Sequence, residues 1–500
     1  MRAADLKQAG NRRRRSTAVL LTMGVAGTLF LSGCGNQYRP VVSAINPVGP
    51  AGQPTKYAVA VSNPSTYPSS TLPGLLTFVD VSGDTILSTP SILPFPPPTT
   101  PGTATVAPAP TFINPNNFTI NSGGTEGFVV NSSGTFEDFP LGNPPSLLTQ
   151  NIVPASLAAG VVPNGIQTFS LPSTGTTIFV PQPTSAQIAE LEISTGPSLL
   201  QNLDVPNPVY VVGVNGAQRV YAISGNTTSN GYAYPIENSP VGIDTQDIIK
   251  VGVNPVYGGM TADGNRAFIL NEGSGTVSVI NVPSNGLDAA VPTITLPVIA
   301  IPGGGTTAPN PVWIDFSPVN SEIVVLNQGD GVHPGSLTVI SIPLCNINTP
   351  VTNPSCNPLN PVDAIGFGNI VLTAPVGINP TMVSVLADGT RAYVANSGIM
   401  PSGSSAGVEG SVSVVNLADG QVTTIPAIST PSGTTDVTST PTEVYGHPNT
   451  IAATTGTPTG KVYVTSSDNK YLTVIETDTD TVDTHISLQG LGIRVLVTSP

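Results

Sequence analysis

The sequence predicts an all-β fold made of repeated four-stranded antiparallel units. A phrase recurs along the chain: an Asn-Pro turn, a short apolar stretch, a polar turn and a second strand. Three copies align without a gap, at Asn254–Asn271, Asn310–Asn327 and Asn379–Asn396. Repeats of this length are supersecondary units that bury their apolar faces only against neighbouring copies. Four-stranded meanders repeated around an axis are the blades of a β-propeller, so we expect a single propeller.

Composition supports the same fold class. The 500 residues include 52 Gly and 52 Pro, 39% are apolar and only 9% are charged. Pro and Gly interrupt helices while β-branched residues favour strands, so long helices are disfavoured. The regular apolar pattern argues against disorder outside the Pro-rich segments, because it provides a large core.

The copy that begins at Asn254 shows the four strands of one blade. Strands are predicted at Val256–Thr261, Arg266–Leu270, Thr276–Val282 and Thr293–Val298, with the second strand alternating in polarity. The first two are joined by the turn Ala262–Asn265, which contains Asp-Gly. Asp-Gly and Gly-rich turns between short apolar runs are signals of antiparallel hairpins.

Counting second strands gives eight blades. Weaker copies supply second strands at Lys56–Asn63, Phe128–Asn131, Ile178–Val180, Arg219–Ile223 and Lys461–Val464. The first of these has no first strand before it, whereas the chain ends in the strand Ile493–Val497. We therefore expect the C-terminal strand to complete the N-terminal blade, which closes the ring and removes two open sheet edges. The alternative is seven blades and an irregular N-terminal element.

The N-terminus has the features of an export signal. Arg12–Arg15 are basic, and Ala18–Leu31 is apolar but short for a membrane span. The segment Leu31–Cys34 resembles a bacterial lipobox, which implies cleavage before Cys34 and acylation of that residue. Several acyl chains anchor a protein stably without a spanning helix. The alternative is an ordinary secretory signal with an incidental cysteine.

The predicted organisation is a signal peptide at 1–33, a lipid-anchored tether at 34–45 and a propeller at 46–500. Gly35 after the cysteine indicates the outer membrane, by resemblance to lipoproteins of bacteria with two membranes. The protein would then face the periplasm or the cell surface. Sec and twin-arginine export both stay open.

Charge excludes two kinds of partner. Cleavage before Cys34 leaves 9 basic and 28 acidic residues, a formal charge of −19. Nucleic acids and anionic membrane surfaces both require a basic footprint, so neither is expected to bind.

The other two cysteines, Cys345 and Cys356, lie in one loop. In an exported protein this pair predicts a disulfide, worth about 3 kcal/mol in the chain-entropy model. The alternative is two free thiols. A metal site is disfavoured, because no nearby histidine or second cysteine pair completes it.

Two segments carry a family resemblance. Arg391–Asn396 followed by Gly410–Asn416 resembles the YVTN-type propeller repeat, and Arg266–Asn271 with Gly275–Asn281 is a second match. Related groups are the YncE-, NHL- and lactonase-like propellers. The resemblance implies an exported propeller whose role is unassigned. The lengthened loops at 94–110 and 345–361 depart from the compact repeat.

A candidate ligand face follows from propeller geometry. Turns that enter first strands lie on the same face as turns between second and third strands, and ligands commonly bind there. The candidates on or near these turns are Tyr210, Tyr257, Trp313, Asp315, Asn327, Asn396 and His447, with Asn271 in the same repeat position as the other two asparagines. Aromatic rings and amides suit glycan or peptide partners. The alternative is structural: the asparagines hold tight turns and the aromatics pack between blades.

Two recurrent charged groups have competing interpretations. One hypothesis is that the recurring arginines bind anions. The other, which we favour, is that they are exposed residues at strand starts that cap carbonyl groups or pair with a neighbour. These residues are Arg219, Arg266 and Arg391. A second group consists of three carboxylates, which are oxygen ligands of the kind that calcium binds. They belong to Asp478, Asp480 and Asp483. Their spacing fits a hairpin turn better, so no metal is predicted.

Enzyme signatures are mostly missing. No nucleophile elbow, phosphate-binding loop or zinc-protease motif occurs, and without Cys-x-x-Cys-His covalent haem is not expected. We assign no catalytic residue and no cofactor. The predicted function is a lipid-anchored, non-catalytic binding scaffold for a protein, peptide or envelope glycan. The alternatives are a lactonase-like hydrolase or lyase, for which His447, Asp315 and Glu443 would have to meet, and a structural or adhesive envelope protein.

Overall fold

The computed structural model places a β-propeller within Gln53–Pro500. It describes residues 57–63, 74–88, 115–121, 123–131, 136–141, 151–153, 157, 167–171, 175–193, 198–238, 241–317, 319–343, 366–402, 407–428, 442–454 and 460–498. The predicted signal peptide, tether, lipidation site Cys34 and disulfide Cys345–Cys356 lie outside the described residues, and they stay predictions.

Eight sheets form the blades, and their strands pair antiparallel except for one short parallel pairing at the outer edge of blade 7. We number the strands in chain order. Blade 1 contains β1 (Tyr57–Asn63), β2 (Leu75–Asp80) and β3 (Thr85–Ser88). Blade 2 contains β4 (Pro115–Ile120), β5 (Glu126–Asn131), β6 (Phe136–Pro140) and β7 (Asn151–Val153). Blade 3 contains β8 (Gln167–Leu171), β9 (Gly175–Gln182), β10 (Gln187–Glu192) and β11 (Ser198–Asp204). Blade 4 contains β12 (Pro208–Val212), β13 (Arg219–Ser224), β14 (Asn230–Asn238), β15 (Val241–Ile243) and β16 (Ile249–Val253).

The second half of the ring follows the same order. Blade 5 contains β17 (Pro255–Met260), β18 (Arg266–Asn271), β19 (Thr276–Asn281), β20 (Gly286–Leu287) and β21 (Thr293–Thr295), and the hairpin β22 (Ile299–Ala300) and β23 (Thr306–Thr307) follows it. Blade 6 contains β24 (Pro311–Ser317), β25 (Glu322–Asn327), β26 (Pro334–Ser341) and β27 (Ile370–Ile378). Blade 7 contains β28 (Pro380–Val385), β29 (Arg391–Asn396), β30 (Ser411–Asn416), β31 (Val422–Ile428) and β32 (Val444–Tyr445). Blade 8 contains β33 (Pro448–Ala453), β34 (Lys461–Ser466), β35 (Tyr471–Glu476) and β36 (Thr481–Ser487).

The ring is closed by the last strand, β37 (Leu491–Val497), which pairs antiparallel with β1 and is the first strand of blade 1. The pairing joins Ala58 to Val497 and Ala60 to Val495. Beyond the strand, the Thr498 hydroxyl accepts a hydrogen bond of 2.9 Å from the Tyr57 N–H. The eight-blade prediction and the predicted closure are both confirmed, and the seven-blade alternative is wrong.

Second strands are buried along almost their whole length, apart from one half-buried end residue in most of them, because each blade is covered on both sides by its neighbours. Every residue of β18 is buried, including Arg266, which corrects the expectation that this strand alternates. Outer strands do alternate, as β11 shows with its exposed residues at every second position. Continuous apolar runs are what strands with two covered faces require.

The recurring Asn-Pro pair has a definite backbone role. Asn207, Asn254, Asn310 and Asn379 all adopt left-handed φ values between 45° and 51°. The proline that follows begins the first strand of the blade, and the pairing register with the second strand shifts directly after it. Asparagine tolerates the left-handed conformation better than most residues, so it suits this position. This β-bulge recurs in blades 1, 2 and 8 as well.

Candidate functional site

In seven of the eight blades, the described residues include one directly after a bulge in the first strand. These seven residues are Arg494 in blade 1, Asn117 in blade 2, Tyr210, Tyr257, Trp313, Met382 and Thr450 in blades 4 to 8. First strands of consecutive blades contact each other around the central channel. We call Asn117, Tyr210, Tyr257, Trp313 and Arg494 the channel layer, because these five side chains form one connected cluster.

Three aromatic rings from consecutive blades stack in the channel layer. The ring centroids of Tyr210 and Tyr257 are 4.4 Å apart, and those of Tyr257 and Trp313 are 4.2 Å apart with an interplanar angle of 17°. The Tyr210 hydroxyl donates to the Tyr257 hydroxyl at 3.4 Å. Burial raises the pKa of both phenols above the usual value for tyrosine, so they are neutral at pH 7. Tyr257 and Trp313 form a flat, uncharged wall, and the Tyr210 ring lies behind it at an angle of 34° to Tyr257.

Arg494 reaches this wall from the blade that closes the ring. Its Cζ lies 5.7 Å from the ring centroid of Trp313, which is cation–π distance. Its Nη1 donates to Asn117 Oδ1 at 3.1 Å. The guanidinium therefore bridges blades 1, 2 and 6. The sequence indicates only that this residue belongs to the closing strand. Its equivalence to Tyr257 follows from the pairing of β37 with β1.

Asp315 lies two residues after Trp313 on the same strand and is half-buried. Its Oδ2 accepts the Val385 N–H at 2.8 Å, and its Oδ1 accepts the Phe316 N–H at 2.8 Å. Burial raises the pKa of this carboxyl to about 6, and these two hydrogen bonds only partly oppose the rise. At the same position in blade 7, the Ser384 hydroxyl accepts the Ala453 N–H at 3.1 Å. Both side chains therefore link adjacent first strands through a backbone N–H on the neighbouring strand.

A cavity of about 420 Å³ adjoins the channel layer. Tyr257, Trp313, Asp315 and Arg494 line it, together with glycines and aliphatic side chains from blades 4 to 8 and 1. The lining comes from the C-terminal halves of the first strands, so the cavity lies towards the turns that join first and second strands. Its volume is within the usual range for small-molecule sites.

Glycine keeps one wall of the cavity open. A Cβ on Gly259 would lie 2.5 Å from the Phe316 ring, and one on Gly258 would lie 2.5 Å from the Phe268 carbonyl oxygen. Neither contact is sterically allowed, so this part of β17 accepts no side chain. The shape of the cavity thus depends on two residues that carry no chemistry of their own.

The predicted ligand face separates into two groups. Tyr257, Trp313 and Asp315 line the cavity, and Tyr210 stacks behind Tyr257. Asn327 and Asn396 are fully buried at the other end of the blades. The Asn327 amide donates to the hydroxyls of Ser336 at 3.1 Å and Thr338 at 3.0 Å, which ties the second strand to the third. The Asn396 amide makes the same bonds to Ser411 and Ser413, and that of Asn271 to Thr276 and Ser278.

His447 is buried outside the cavity lining. Its Nδ1 is hydrogen-bonded to the Ser397 carbonyl, and its backbone N–H donates to Asp468 at 2.8 Å. Glu443 is half-buried and interacts with His485, whose pKa burial lowers to about 4. A lactonase-like site would require His447, Asp315 and Glu443 to meet, but each of these side chains contacts different residues.

The recurrent arginines pair with neighbours and carbonyls, as the favoured interpretation predicted. Arg219 Nε lies 2.7 Å from Glu237 Oε1, and its Nη1 donates to the Val282 carbonyl at 2.6 Å. Arg391 pairs with Asp480 of blade 8. The expectation of exposure is wrong for Arg266, which is fully buried against Asp288 at 3.1 Å because the residues after β20 cover it.

Asp480 is engaged by Arg391 and by the Tyr393 hydroxyl, in the hairpin turn that the sequence predicted. Within the described ranges, no group of three or more potential metal-binding side chains is found. No helix of the described part is long and apolar enough to span a membrane.

No protein-family model matches the sequence, and no curated protein matches it either. Solved structures do resemble the fold. The dihydro-heme d1 dehydrogenase NirN in complex with DHE is 10% identical, with a TM-score of 0.53 over 88% of this chain and 74% of that one. AztD from Citrobacter koseri is 11% identical, with a TM-score of 0.48 over 88% and 97% of the two chains. A candidate 6-phosphogluconolactonase from Bacteroides fragilis is 11% identical, with a TM-score of 0.49 over 90% and 99%. Identities this low establish a propeller fold and nothing finer.

Proposed function

We propose that this protein is a lipid-anchored, extracytoplasmic propeller of the YVTN-type group that acts as a non-catalytic binding scaffold. Its partner is a peptide or glycan of the cell envelope that inserts a group into the channel cavity. The propeller gives a rigid frame, and the cavity gives a concave site with aromatic and charged walls.

The observation that carries this proposal is the variation at the position after the bulge. Asparagine and proline recur before it in blade after blade, whereas the position itself holds Asn, Tyr, Tyr, Trp, Met, Thr and Arg. If this position were needed only for packing between the blades, the same residue type could fill it in every blade. Four of these side chains, those of Tyr257, Trp313, Met382 and Arg494, line the same cavity. Chemically different side chains around one cavity are what selective binding requires.

Two features favour binding over catalysis. Both oxygens of Asp315 already accept backbone N–H groups, which limits their use as a base. The described residues that line the cavity place no second ionisable side chain at hydrogen-bond distance from this carboxylate. Hydrolysis of a lactone that disappears in Asp315→Asn would contradict the non-catalytic assignment, because it would identify the carboxyl as a working acid or base.

The binding test is affinity capture from envelope extracts with the purified full-length protein as bait. Trp313→Ala removes the wall of the cavity, whereas Tyr232→Ala removes an exposed aromatic side chain from blade 4. We expect a partner that the wild type and Tyr232→Ala retain equally and that Trp313→Ala loses. A captured set that is the same for all three proteins would refute the channel as the binding site.

The anchor is tested separately. Cys34→Ser removes the only residue that the lipobox resemblance assigns to acylation. We expect the variant to appear in the soluble fraction, while the wild type stays with membranes. Equal membrane retention of both proteins would refute the lipoprotein assignment.

A further inference from the structure

Among the described residues, Arg494 is the only arginine or lysine that is shielded from solvent and has no carboxylate partner. Among the described residues, Arg219 pairs with Glu237, Arg266 with Asp288, Arg391 with Asp480 and Lys461 with Asp84. Lys250 and Lys470 are exposed to solvent. Arg494 is half-buried in the channel, and its neighbours are an amide and an aromatic ring.

The described protein residues accept few of the hydrogen bonds that Arg494 can donate. A guanidinium has five N–H donors, and one of them donates to Asn117. The Nε atom is buried and has no hydrogen-bond partner in the described part of the chain. The Trp313 face attracts the positive charge but accepts no strong hydrogen bond. The cluster therefore positions the guanidinium without satisfying it.

A guanidinium that lacks hydrogen-bond acceptors in a cavity destabilises the folded protein unless a bound group supplies those acceptors. Removing charge from water without a partner is unfavourable, and a buried N–H without an acceptor adds a desolvation penalty. Carboxylates fit the planar fork of arginine through two parallel N–H···O bonds. The wall beside the fork is the Tyr257–Trp313 stack, which suits a flat apolar body.

We propose that the channel cavity binds an organic carboxylate, with its carboxylate group on Arg494 and its flat or apolar body against Tyr257 and Trp313. This assignment rests on the proposed function and specifies its ligand class. The carboxylate belongs to a free small molecule or to the end of a peptide chain, which present the same group. Asp315 adds selectivity, because its negative charge in the same cavity disfavours a second anionic group on the ligand.

Trp313 makes the site directly measurable, since it is the only tryptophan among the 500 residues. Tryptophan fluorescence of the purified full-length protein is titrated with benzoate, benzamide and benzylamine, which share a ring and differ in charge. Ac-Ala-Ala-Phe and its C-terminal amide form a second matched pair. We expect saturable changes with benzoate or with the free peptide, and at least tenfold weaker binding of the matching amide.

The variant Arg494→Met removes the charge and keeps an apolar side chain of similar length. Lys470→Met is the matched control, because it removes an exposed positive charge outside the cavity. Carboxylate binding is expected to weaken at least tenfold in Arg494→Met and to stay unchanged in Lys470→Met. The comparison of acid with amide on the wild type needs no variant, so the proposal is testable even if Arg494→Met fails to fold.

Three outcomes would overturn the assignment: amides that bind as tightly as acids, acids that bind equally to Arg494→Met, or no binding of any acid. Benzoate saturation sensitive to Arg494, together with capture that is indifferent to Trp313→Ala, would support the carboxylate site and refute the envelope scaffold. If the amides bind as tightly as the acids and capture of the envelope partner depends on Trp313, the carboxylate site is refuted and the envelope scaffold is supported.

Discussion

At the scale of single residues, side chains that look alike in the repeat do different work. The recurring asparagines at the ends of second strands are structural, since Asn327 and Asn396 bridge to hydroxyls of the third strand. A structural role is one of the two that the sequence predicts for these asparagines, but they lie at strand ends and bond to the next strand rather than holding tight turns. The sequence could not identify Arg494, because residue 494 meets residues 117 and 313 only after the ring has closed.

Asp315 predicts a specific pH dependence of stability. Its folded pKa, about 6, is above the value of about 4 expected for the unfolded chain, so the folded state binds a proton that the unfolded state releases. Between pH 4 and 6 this group makes the free energy of unfolding fall as pH rises, by up to about 3 kcal/mol. Above pH 6 the contribution stays constant.

The measurement is the difference between wild type and Asp315→Asn in urea unfolding from pH 4 to 7. A difference is needed because Glu126, with a pKa of about 7, and His485 also titrate in or near this range. We expect the wild type to lose stability relative to the variant as pH rises. A difference that does not change with pH would show that the carboxyl has an ordinary pKa.

At the scale of elements, blades are joined by a recurring contact between glycine and proline. Gly231, Gly335 and Gly410 each lie against the proline that begins the next blade, which is Pro255, Pro380 and Pro448 respectively. The repeat shows these residues in the sequence, and the asparagine-proline turn was predicted from it. Their mutual contact was not, because the two residues belong to different blades.

Gly335→Ala should therefore destabilise the interface between blades 6 and 7. Its Cβ would lie 2.6 Å from Pro380 Cγ and 2.5 Å from the Asn327 carbonyl oxygen. Overpacking of this kind costs about 1–3 kcal/mol. Gly242→Ala is the control, since a Cβ at this strand position would have no atom within 4 Å. We expect the urea midpoint of Gly335→Ala to be lower than that of Gly242→Ala. Equal midpoints would show that the interface accommodates the added methyl group without loss of stability.

A second inter-blade contact repeats with variation. The Tyr221, Tyr393 and Tyr463 hydroxyls donate to Asn285, Asp480 and Asp84 in the next blade. All three acceptors have left-handed φ values between 49° and 55°. The tyrosine of the repeat thus holds the outer hairpin of its neighbour, which a single repeat considered alone does not reveal.

At the scale of the whole molecule, the last of these contacts reinforces ring closure. Lys461 and Tyr463 of blade 8 both bind Asp84 of blade 1, beside the pairing of β37 with β1. Asp84→Ala would leave a half-buried lysine and a buried tyrosine hydroxyl without their acceptor. Hydrogen bonds to charged groups contribute about 1.5–3 kcal/mol to stability, so we expect the free energy of unfolding of Asp84→Ala to fall by about that amount.

Thermal unfolding and limited proteolysis test this prediction. Asp84→Ala should unfold earlier, and cleavage should begin in blade 1 because that blade is completed only by the distant C-terminal strand. The exposed residue Asp247 provides the control Asp247→Ala, which should match the wild type. Cleavage that begins elsewhere would mean that the Asp84 contact does not limit ring opening.

Sequence patterns alone predict the main strands of the repeats, the turns between them, the eight blades and the closing strand. These follow from periodicity and turn chemistry, which act over a few residues and are written into each repeat. The tertiary structure decided which positions face the channel, which end of it holds the cavity and which cation lies beside an aromatic ring and an amide there. Those properties arise only when residues hundreds of positions apart converge around one axis, so no local pattern encodes them.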